Sequence, residues 1–240
     1  MDGEQDIWYM HGLRWEDPNR VRTKEQLIER INQIGFLPLF RNSVPGFSVE
    51  EMTFGPDWWT GNEQIDPWEW RRILADSGQV AYGKFFDKKA GFISLKWLPD
   101  FANWRRDGYD FDSLWEDELA SFRQKKIMDR FLEKDEWFSF DLKRKAGFGK
   151  GGEKNFEGVL TDLMMRTYVI VRDFRCRLNK EGRPYGWHVA VYTTPESIWG
   201  YNAVTAGYKE KPAVSKENIY RRVRLLYPLA TEGQIQKIMK

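Results

Sequence analysis

The sequence predicts an α+β fold, mainly helical, that contains a winged helix-turn-helix module. Two observations lead to this prediction. The first is the order of elements over residues 119–193, where three amphipathic helices precede a strand, a basic turn and a second strand. The second is composition, because 41% hydrophobic and 31% charged residues in a chain of 240 are typical of a globular protein with a sizeable core.

The first predicted element is a short helix over residues 23–34. Apolar residues recur there at helical spacing, Thr23 is a suitable N-cap and Gly35 is a suitable end. Residues 35–47 follow with two prolines among bulky apolar side chains, so we expect an extended and largely buried connection.

A second helix is predicted after an aromatic loop. It begins at Pro67, with Asp66 as its cap, and Gly78 ends it. Residues 79–94 are rich in Val, Tyr and Phe around a central turn, which predicts a β-hairpin. Residues 97–118 have the pattern of two short helices joined by a turn.

The second half has the order typical of a winged helix. Amphipathic helices are predicted at 119–132, 140–147 and 153–167, with a glycine-rich bend before the last of them. Strands at 168–174 and 187–193 flank a polar, basic turn. This order predicts a helix-turn-helix followed by a wing.

Basic residues concentrate in this second half. In a helix-turn-helix the later helix reads base edges, while neighbouring elements contact phosphates. The residues predicted to face DNA are Lys150, Lys154, Asn155, Arg166, Arg175, Arg177, Lys180 and Arg183. The alternatives are a solvated helix face or a protein-docking module. A continuous basic surface over residues 143–183 would favour DNA, and acidic interruptions would argue against it.

Charge, cysteine and histidine content exclude several kinds of site. The 38 Lys and Arg balance 36 Asp and Glu, which excludes a polybasic or acidic tail as the main feature. Cys176 is the single cysteine, so an internal disulfide and a multi-cysteine zinc site are excluded. His11 and His188 are distant in sequence, and no phosphate-loop or nucleophile-elbow motif occurs. We expect no metal and no cofactor.

The hydrophobic pattern also bears on location. No apolar run approaches the roughly 18 residues of a membrane helix, and the first ten residues lack the pattern of a signal peptide. We therefore expect a cytoplasmic protein without a membrane partner. The sequence gives no indication of oligomeric state.

Two segments carry a family resemblance. Residues 125–174, which begin KKIMDRF and end VIVRDF, resemble the winged-helix module of the AlkZ/YcaQ-type alkylpurine DNA glycosylases. Residues 82–101, YGKFFDKKAGFISLKWLPDF, are similar to the preceding region of that family. Over about two thirds of the chain, the resemblance implies tandem winged helices with a concave basic DNA-binding face. It also implies monofunctional excision of alkylated or crosslinked bases without a metal.

The family resemblance also points to catalytic residues. Its signature is Gln-apolar-Gln or Gln-apolar-Asp, which positions and activates the attacking water, whereas the aligned residues 37–39 here are Leu-Pro-Leu. Gln64-Ile65-Asp66 matches the short pattern later in the chain, so Gln64 and Asp66 are the candidate catalytic residues, although Asp66 also serves as the predicted cap.

Tryptophan is abundant, with 12 residues that concentrate upstream of the basic half. The candidates for an aromatic pocket around the Gln64 loop are Trp58, Trp59, Trp68 and Trp70. An enzyme that extrudes a base holds it against such walls. The alternative, which we favour from sequence, is that these side chains simply fill the core.

These observations predict three regions: an aromatic-rich, winged-helix-like part at 1–115, the winged helix-turn-helix at 116–195, and a C-terminal helical extension at 196–240 packed on the rest. We expect a protein that binds double-stranded DNA, is related to alkylpurine DNA glycosylases and acts in DNA repair. Whether it is an active, metal-independent glycosylase stays open. The alternative is a winged-helix protein-interaction module with no nucleic-acid or enzymatic role.

Overall fold

The structure, a computed structural model, describes residues 10–240. Its strands are β1 (Phe36–Pro38), β2 (Val80–Phe86), β3 (Lys89–Ser94), β4 (Trp137–Phe138), β5 (Ile170–Leu178) and β6 (Pro184–Thr193). Its α-helices are α1 (Lys24–Ile34), α2 (Val49–Met52), α3 (Pro67–Ser77), α4 (Leu98–Arg106), α5 (Phe111–Glu116), α6 (Phe122–Met128), α7 (Ser139–Lys145), α8 (Phe156–Met165), α9 (Pro195–Trp199), α10 (Tyr201–Val204), α11 (Pro212–Leu226) and α12 (Glu232–Met239). The fold is α+β, with helices over just under half of the chain. The described strands form one antiparallel sheet in the order β1-β3-β2-β5-β6-β4.

One unit of the fold runs from α1 to β3. Thr23 caps α1 through its side chain, as the sequence predicts. After α1, the short strand β1 pairs with β3, with Phe36 opposite Ile93. The β2–β3 hairpin turns through Asp87 and Lys88, which both have left-handed φ angles, 48° and 60°. The predicted first helix and hairpin are confirmed.

The order of elements then repeats from α6 to β6. The short strand β4 pairs antiparallel with β6, with Trp137 opposite Tyr192, just as β1 pairs with β3. Helices α7 and α8 follow β4, and the β5–β6 hairpin completes the unit. The predicted series of three helices and two strands is therefore confirmed, and the structure adds β4, which the sequence did not indicate.

The two units meet at the middle of the sheet. Tyr82 of β2 lies opposite Val171 of β5, and the strands on either side follow in mirrored order. From one edge to the middle the strands are β1, β3 and β2, and from the other edge they are β4, β6 and β5. In both units the order is the short strand, the second strand of the hairpin and the first strand of the hairpin. The fold is thus an internal repeat in which two related units share one continuous sheet. The predicted boundary at 115/116 falls in the last turn of α5.

The third helix of the second unit is shorter than the sequence predicts. It begins at Phe156 instead of residue 153. Asn155 has a left-handed φ of 65°, which a helix interior does not tolerate, and Glu153 forms an isolated bridge with Phe148. Asn155 consequently lies at the N-terminus of α8, not on its solvent face.

The last hairpin is longer than the sequence predicts. Its strands continue to Leu178 and resume at Pro184, where a turn was expected over 175–186. The turn itself closes with a hydrogen bond of 2.9 Å from the Asn179 N–H to the Arg183 carbonyl oxygen. Pairing of Arg177 with Tyr185 and of Leu178 with Pro184 therefore extends the hairpin well beyond the apolar run.

The C-terminal helices pack on the first unit. Helix α11 lies against α4, and the Asn103 side chain donates to the Glu210 carbonyl oxygen and to the Ser215 hydroxyl, both at 3.0 Å. Arg222 of α11 donates to the Ile34 carbonyl oxygen at the end of α1, at 2.9 Å. This packing brings α12 close to β2.

An aromatic cluster fills the core of the first unit. The ring of Phe36 lies 5.0 Å from Phe101, 5.5 Å from Trp97 and 5.9 Å from Phe47, in edge-to-face arrangements. Such pairs stabilise a core beyond the area that they bury. No helix in the described part of the chain is long and apolar enough to span a membrane.

Candidate functional site

A cavity of about 720 Å³ opens where the end of β1, the β2–β3 turn and α12 come together. Two aromatic side chains, Phe40 and Trp59, line it. Its polar walls include Asn42, Glu50, Asp87, Lys89 and Lys237. The chain segments that meet here are far apart in sequence, so the cavity is a product of tertiary packing.

Glu50 is the buried carboxylate of this cavity, with 1% of its surface exposed. Its Oε1 accepts a hydrogen bond of 3.0 Å from the His11 backbone N–H, and its Oε2 accepts one of 2.9 Å from the Arg41 N–H. The His11 Nδ1 lies 3.4 Å from Oε1. A carboxylate offers about four acceptor positions, so Glu50 retains the capacity to accept a hydrogen bond from a water or ligand.

The local fold fixes the position of Glu50. Ser48 caps α2 by accepting a hydrogen bond from the Glu51 N–H, which places Glu50 in the first turn. The Glu50 N–H itself donates to the Leu39 carbonyl oxygen at 3.0 Å. Among the residues described, the basic group within 4.0 Å of its carboxylate is His11 alone. A buried acidic group without a Lys or Arg partner is unusual and is a feature of functional sites.

Three of the four candidate tryptophans, Trp58, Trp59 and Trp68, pack together beside the cavity, and Trp59 alone of the four lines it. Phe40 lies 5.7 Å from Trp58 and 6.3 Å from Trp68, and Trp59 lies 6.4 Å from Trp68. Trp59 is half exposed and faces the cavity. Trp70, by contrast, is buried in the core and donates to the Glu63 carbonyl oxygen.

Gln64 and Asp66, the candidate catalytic pair from sequence, lie beside this aromatic wall. Asp66 is fully buried, and its carboxylate accepts from the N–H groups of Trp59, Gly61 and Trp68 at 3.1, 2.9 and 2.8 Å. Gln64 is exposed. The expected cap role of Asp66 is confirmed, and its carboxylate also fixes the backbone of Trp59.

Acidic residues interrupt the predicted DNA-facing surface at two places, the end of α8 and strand β5 of the hairpin. Arg175 pairs with Glu136 and with Asp173, each at 2.7 Å, and Arg166 lies 3.8 Å from its neighbour Asp162. These pairs reduce the positive charge that could reach a phosphate.

Glu153 adds a further negative charge to the same surface, near the glycine-rich bend. Side-chain hydrogen bonds from Lys126 and Arg123, each 3.1 Å long, lower the pKa of Glu153 and keep it ionised. The predicted surface is therefore mixed in sign around Glu153, at the end of α8 and at Arg175, and these acidic interruptions argue against DNA contact at those places.

Beyond Arg175, the tip of the β5–β6 hairpin keeps its positive charge, and so do the two lysines on either side of Glu153 in the sequence. Within residues 10–240, no carboxylate pairs with the five predicted cations of this surface, Lys150, Lys154, Arg177, Lys180 and Arg183. Arg177 stacks on the Phe140 ring at 4.2 Å. On the same hairpin Trp187 is 91% exposed and Tyr185 is 50% exposed. The unpaired charge thus lies next to exposed aromatic rings.

Glu50 and the cavity around it are not among the features predicted from the sequence. One signal was present, because the Ser48 and Glu51 spacing is typical of a helix N-terminus and would place Glu50 just after a buried extended run. The contributions of His11, Lys89 and Lys237 depend on long-range packing, which no local pattern encodes. In the described chain, no three His, Cys, Asp or Glu side chains converge as the ligands of a metal ion would.

Comparison with known proteins gives a family for the chain. A family model described as "AlkZ related" matches residues 21–240, which include both units of the sheet and the C-terminal helices. No curated protein and no solved structure matches the chain. The match covers most of the sequence and agrees with the resemblance of the 125–174 segment. The chain belongs to the AlkZ-related family.

Proposed function

We propose that this protein binds double-stranded DNA with two tandem winged helices and hydrolyses the N-glycosidic bond of a damaged base held in the cavity beside Glu50. The buried, largely unpaired carboxylate of Glu50 in that cavity is the observation that carries this proposal. The AlkZ-related family supports the association with glycosylase-like proteins.

The topology supports the winged-helix assignment. Each unit has a helix, a short strand, two helices and a hairpin, and the short strand pairs with the last strand of the hairpin. In this arrangement α3 and α8 are the helices that approach the major groove, and the two hairpins are the wings. The unpaired cations of the β5–β6 hairpin then contact the phosphate backbone.

The cavity has the size and walls that a nucleobase requires. Its volume of about 720 Å³ lies within the range of roughly 300–1,000 Å³ in which small-molecule sites usually fall. Phe40 and Trp59 provide faces on which an extruded base stacks, which favours a cationic alkylated purine. Lys89 and Lys237 are exposed at its edge and would bind the flanking phosphates.

Glu50 would act as the general base in this reaction. Water adds to C1′ of the deoxyribose while its proton passes to the Glu50 carboxylate. The C1′–N bond breaks and its electron pair moves to the purine. An alkylated purine carries a positive formal charge, so it departs as a neutral base and leaves an abasic sugar. Asp66 holds the loop of Trp59 in this scheme, and Gln64 lies outside it.

An excision assay tests the enzymatic part of the proposal. Duplexes that contain 7-methylguanine or 3-methyladenine are incubated with the wild type and with Glu50→Gln, and the released base is measured. We expect release by the wild type and its loss in the variant. Absence of release by the wild type over the panel would refute the enzymatic role.

Salt dependence tests DNA binding separately. Each phosphate contact contributes about 0.9 to the slope of log K against log salt, so Lys154→Ala with Arg177→Ala should reduce that slope by about 1.8. The matched control is Lys24→Ala with Arg224→Ala, because both cations are ion-paired outside the predicted surface. Lack of binding to any duplex at low salt would refute the DNA-binding role.

A protein-interaction module is the second candidate function. Leu225, Leu226 and Leu229 expose apolar surface at the junction of α11 and α12, with Leu229 97% exposed. Acidic residues also interrupt the predicted DNA-facing surface on α8 and β5. This candidate predicts no DNA binding at low salt. It also predicts loss of self-association or partner binding in Leu229→Ser, measured by sedimentation.

A further inference from the structure

A second concave site lies in the second unit, between α7 and the β5–β6 hairpin. This groove has a volume of about 950 Å³. Three phenylalanine side chains line it, Phe138, Phe140 and Phe174. Tyr185 of β6 also lines the groove, and half of its surface is exposed. The Phe138 and Phe140 rings stack at 5.4 Å with an angle of 25° between their planes.

The groove occupies the place in the second unit that the Glu50 cavity occupies in the first. Both lie beyond the end of the short strand, next to the helix that follows and to the hairpin of the same unit. Since the short strand pairs with the last hairpin strand in both units, the internal repeat brings equivalent elements around the two sites.

The groove also has a positive charge beside its aromatic side chains. Arg177 stacks on Phe140 at 4.2 Å and makes no ion pair within residues 10–240. His188 also lines the groove, as does Arg72, whose guanidinium is paired with Glu63 and Glu69. Aromatic faces next to a cation are the combination that binds the base and phosphate of an unpaired nucleotide. The chemistry therefore fits a nucleotide better than an apolar peptide.

The groove and the cavity lie on either side of α3. Trp68 of α3 packs against Phe40 and Trp59, which line the cavity. The Arg71 guanidinium is stacked between Trp68 at 3.6 Å and Phe174 of the groove at 4.1 Å. Arg72 of the same helix lines the groove. A DNA strand that crosses α3 would therefore pass both sites.

The groove differs from the cavity in one chemical respect. Both carboxylates that line the groove pair with arginines: the partly exposed Asp141 lies 2.6 Å from Arg144, and the buried Asp173 lies 2.7 Å from Arg175. The carboxylate of the cavity, Glu50, is buried without a Lys or Arg partner among the residues described. The groove is thus equipped to bind a nucleotide but not to activate water.

We infer that the groove between α7 and the β5–β6 hairpin is a second, non-catalytic nucleotide site, which takes an unpaired nucleotide of the DNA that the protein binds. This inference rests on the proposed DNA-binding function. It implies that the protein binds a duplex with an unpaired nucleotide more tightly than a fully paired duplex.

The test compares two labelled duplexes of the same sequence, one fully paired and one with a single bulged 2-aminopurine. Stacking contributes about 1–3 kcal/mol per base, so the wild type should bind the bulged duplex at least about fivefold more tightly and quench the 2-aminopurine. In Tyr185→Ser the ratio of the two affinities should fall towards one. The matched control, Tyr201→Ser, alters a tyrosine of similar exposure on α10 and should keep the wild-type ratio.

The outcomes separate this inference from the function on which it rests. If the wild type binds both duplexes equally, or if Tyr185→Ser keeps the wild-type preference and quenching, the groove site is overturned while DNA binding stands. If the wild type binds neither duplex at low salt, the DNA-binding function fails and the groove inference fails with it.

Discussion

Replacing Asp66 with Asn separates a structural role of this residue from a catalytic one. The buried carboxylate accepts four hydrogen bonds, from three backbone N–H groups and from the Thr60 hydroxyl. Asparagine keeps one acceptor oxygen for Trp59 and Trp68, but its NH2 group then faces the Gly61 N–H, so that hydrogen bond is lost.

The magnitude follows from these contacts. A hydrogen bond to a charged group contributes about 1.5–3 kcal/mol to the free energy of unfolding, and a buried N–H donor left without an acceptor lowers that free energy further. We therefore expect Asp66→Asn to lower the free energy of unfolding by about 2–4 kcal/mol. The control Asp76→Asn alters an exposed partner of Arg172 and should lower it by less than about 1 kcal/mol.

Urea unfolding, followed by tryptophan fluorescence, measures both variants against the wild type. The expected result is a lower midpoint for Asp66→Asn, with base excision retained by the folded fraction of this variant. A variant as stable as the wild type that has lost excision would refute this reasoning and would return Asp66 to the catalytic role that the sequence suggested.

Three further predictions follow from single contacts. Arg106→Met removes the ion pair between the buried Arg106 and Glu196 of α9 and should lower the free energy of unfolding by about 3–5 kcal/mol in a urea titration. The control Arg123→Met removes an exposed ion pair and should lower it by less than about 1 kcal/mol. Gly91→Ala should lower the thermal midpoint, because its Cβ would lie 2.8 Å from a backbone oxygen of β1. Lys126→Met should raise the pKa of Glu153 towards its ordinary value in an NMR titration. The stability that this interaction provides is present above about pH 4.5 and is lost as the pH falls through the lowered pKa, so the variant should be less stable than the wild type at about pH 6 but equally stable at about pH 2.

Local signals in the sequence were sufficient for the helices and hairpins whose ends are set by neighbouring residues. Thr23 and Asp66 cap α1 and α3 as predicted, because an N-cap acts within one turn of its own helix. The predicted start of α8 was wrong because Glu153 pairs with Phe148 and Asn155 adopts a left-handed conformation, so the helix begins only at Phe156. The short strands β1 and β4 were not predicted, since two or three residues are too few to give a strand pattern, and only the family resemblance indicated a tandem arrangement.

The site required tertiary structure. The cavity joins Glu50 to segments near residue 11, in the β2–β3 turn and in α12, and no spacing rule connects such distant parts of a chain. Apolar Leu37 and Leu39 are buried where the family signature aligns, while the next residue, Phe40, lines the cavity. The position that the resemblance implied is thus close to the cavity, although the buried carboxylate of the cavity, Glu50, comes from α2.

The most direct test of the account is the single-turnover rate of 7-methylguanine release from a duplex at saturating protein, measured for the wild type and Glu50→Gln. Saturation removes differences in affinity, and general-base catalysis contributes about 100- to 10,000-fold to such a rate. The account predicts release by the wild type and a rate at least about 100-fold lower in Glu50→Gln. Equal rates in the two proteins would contradict it.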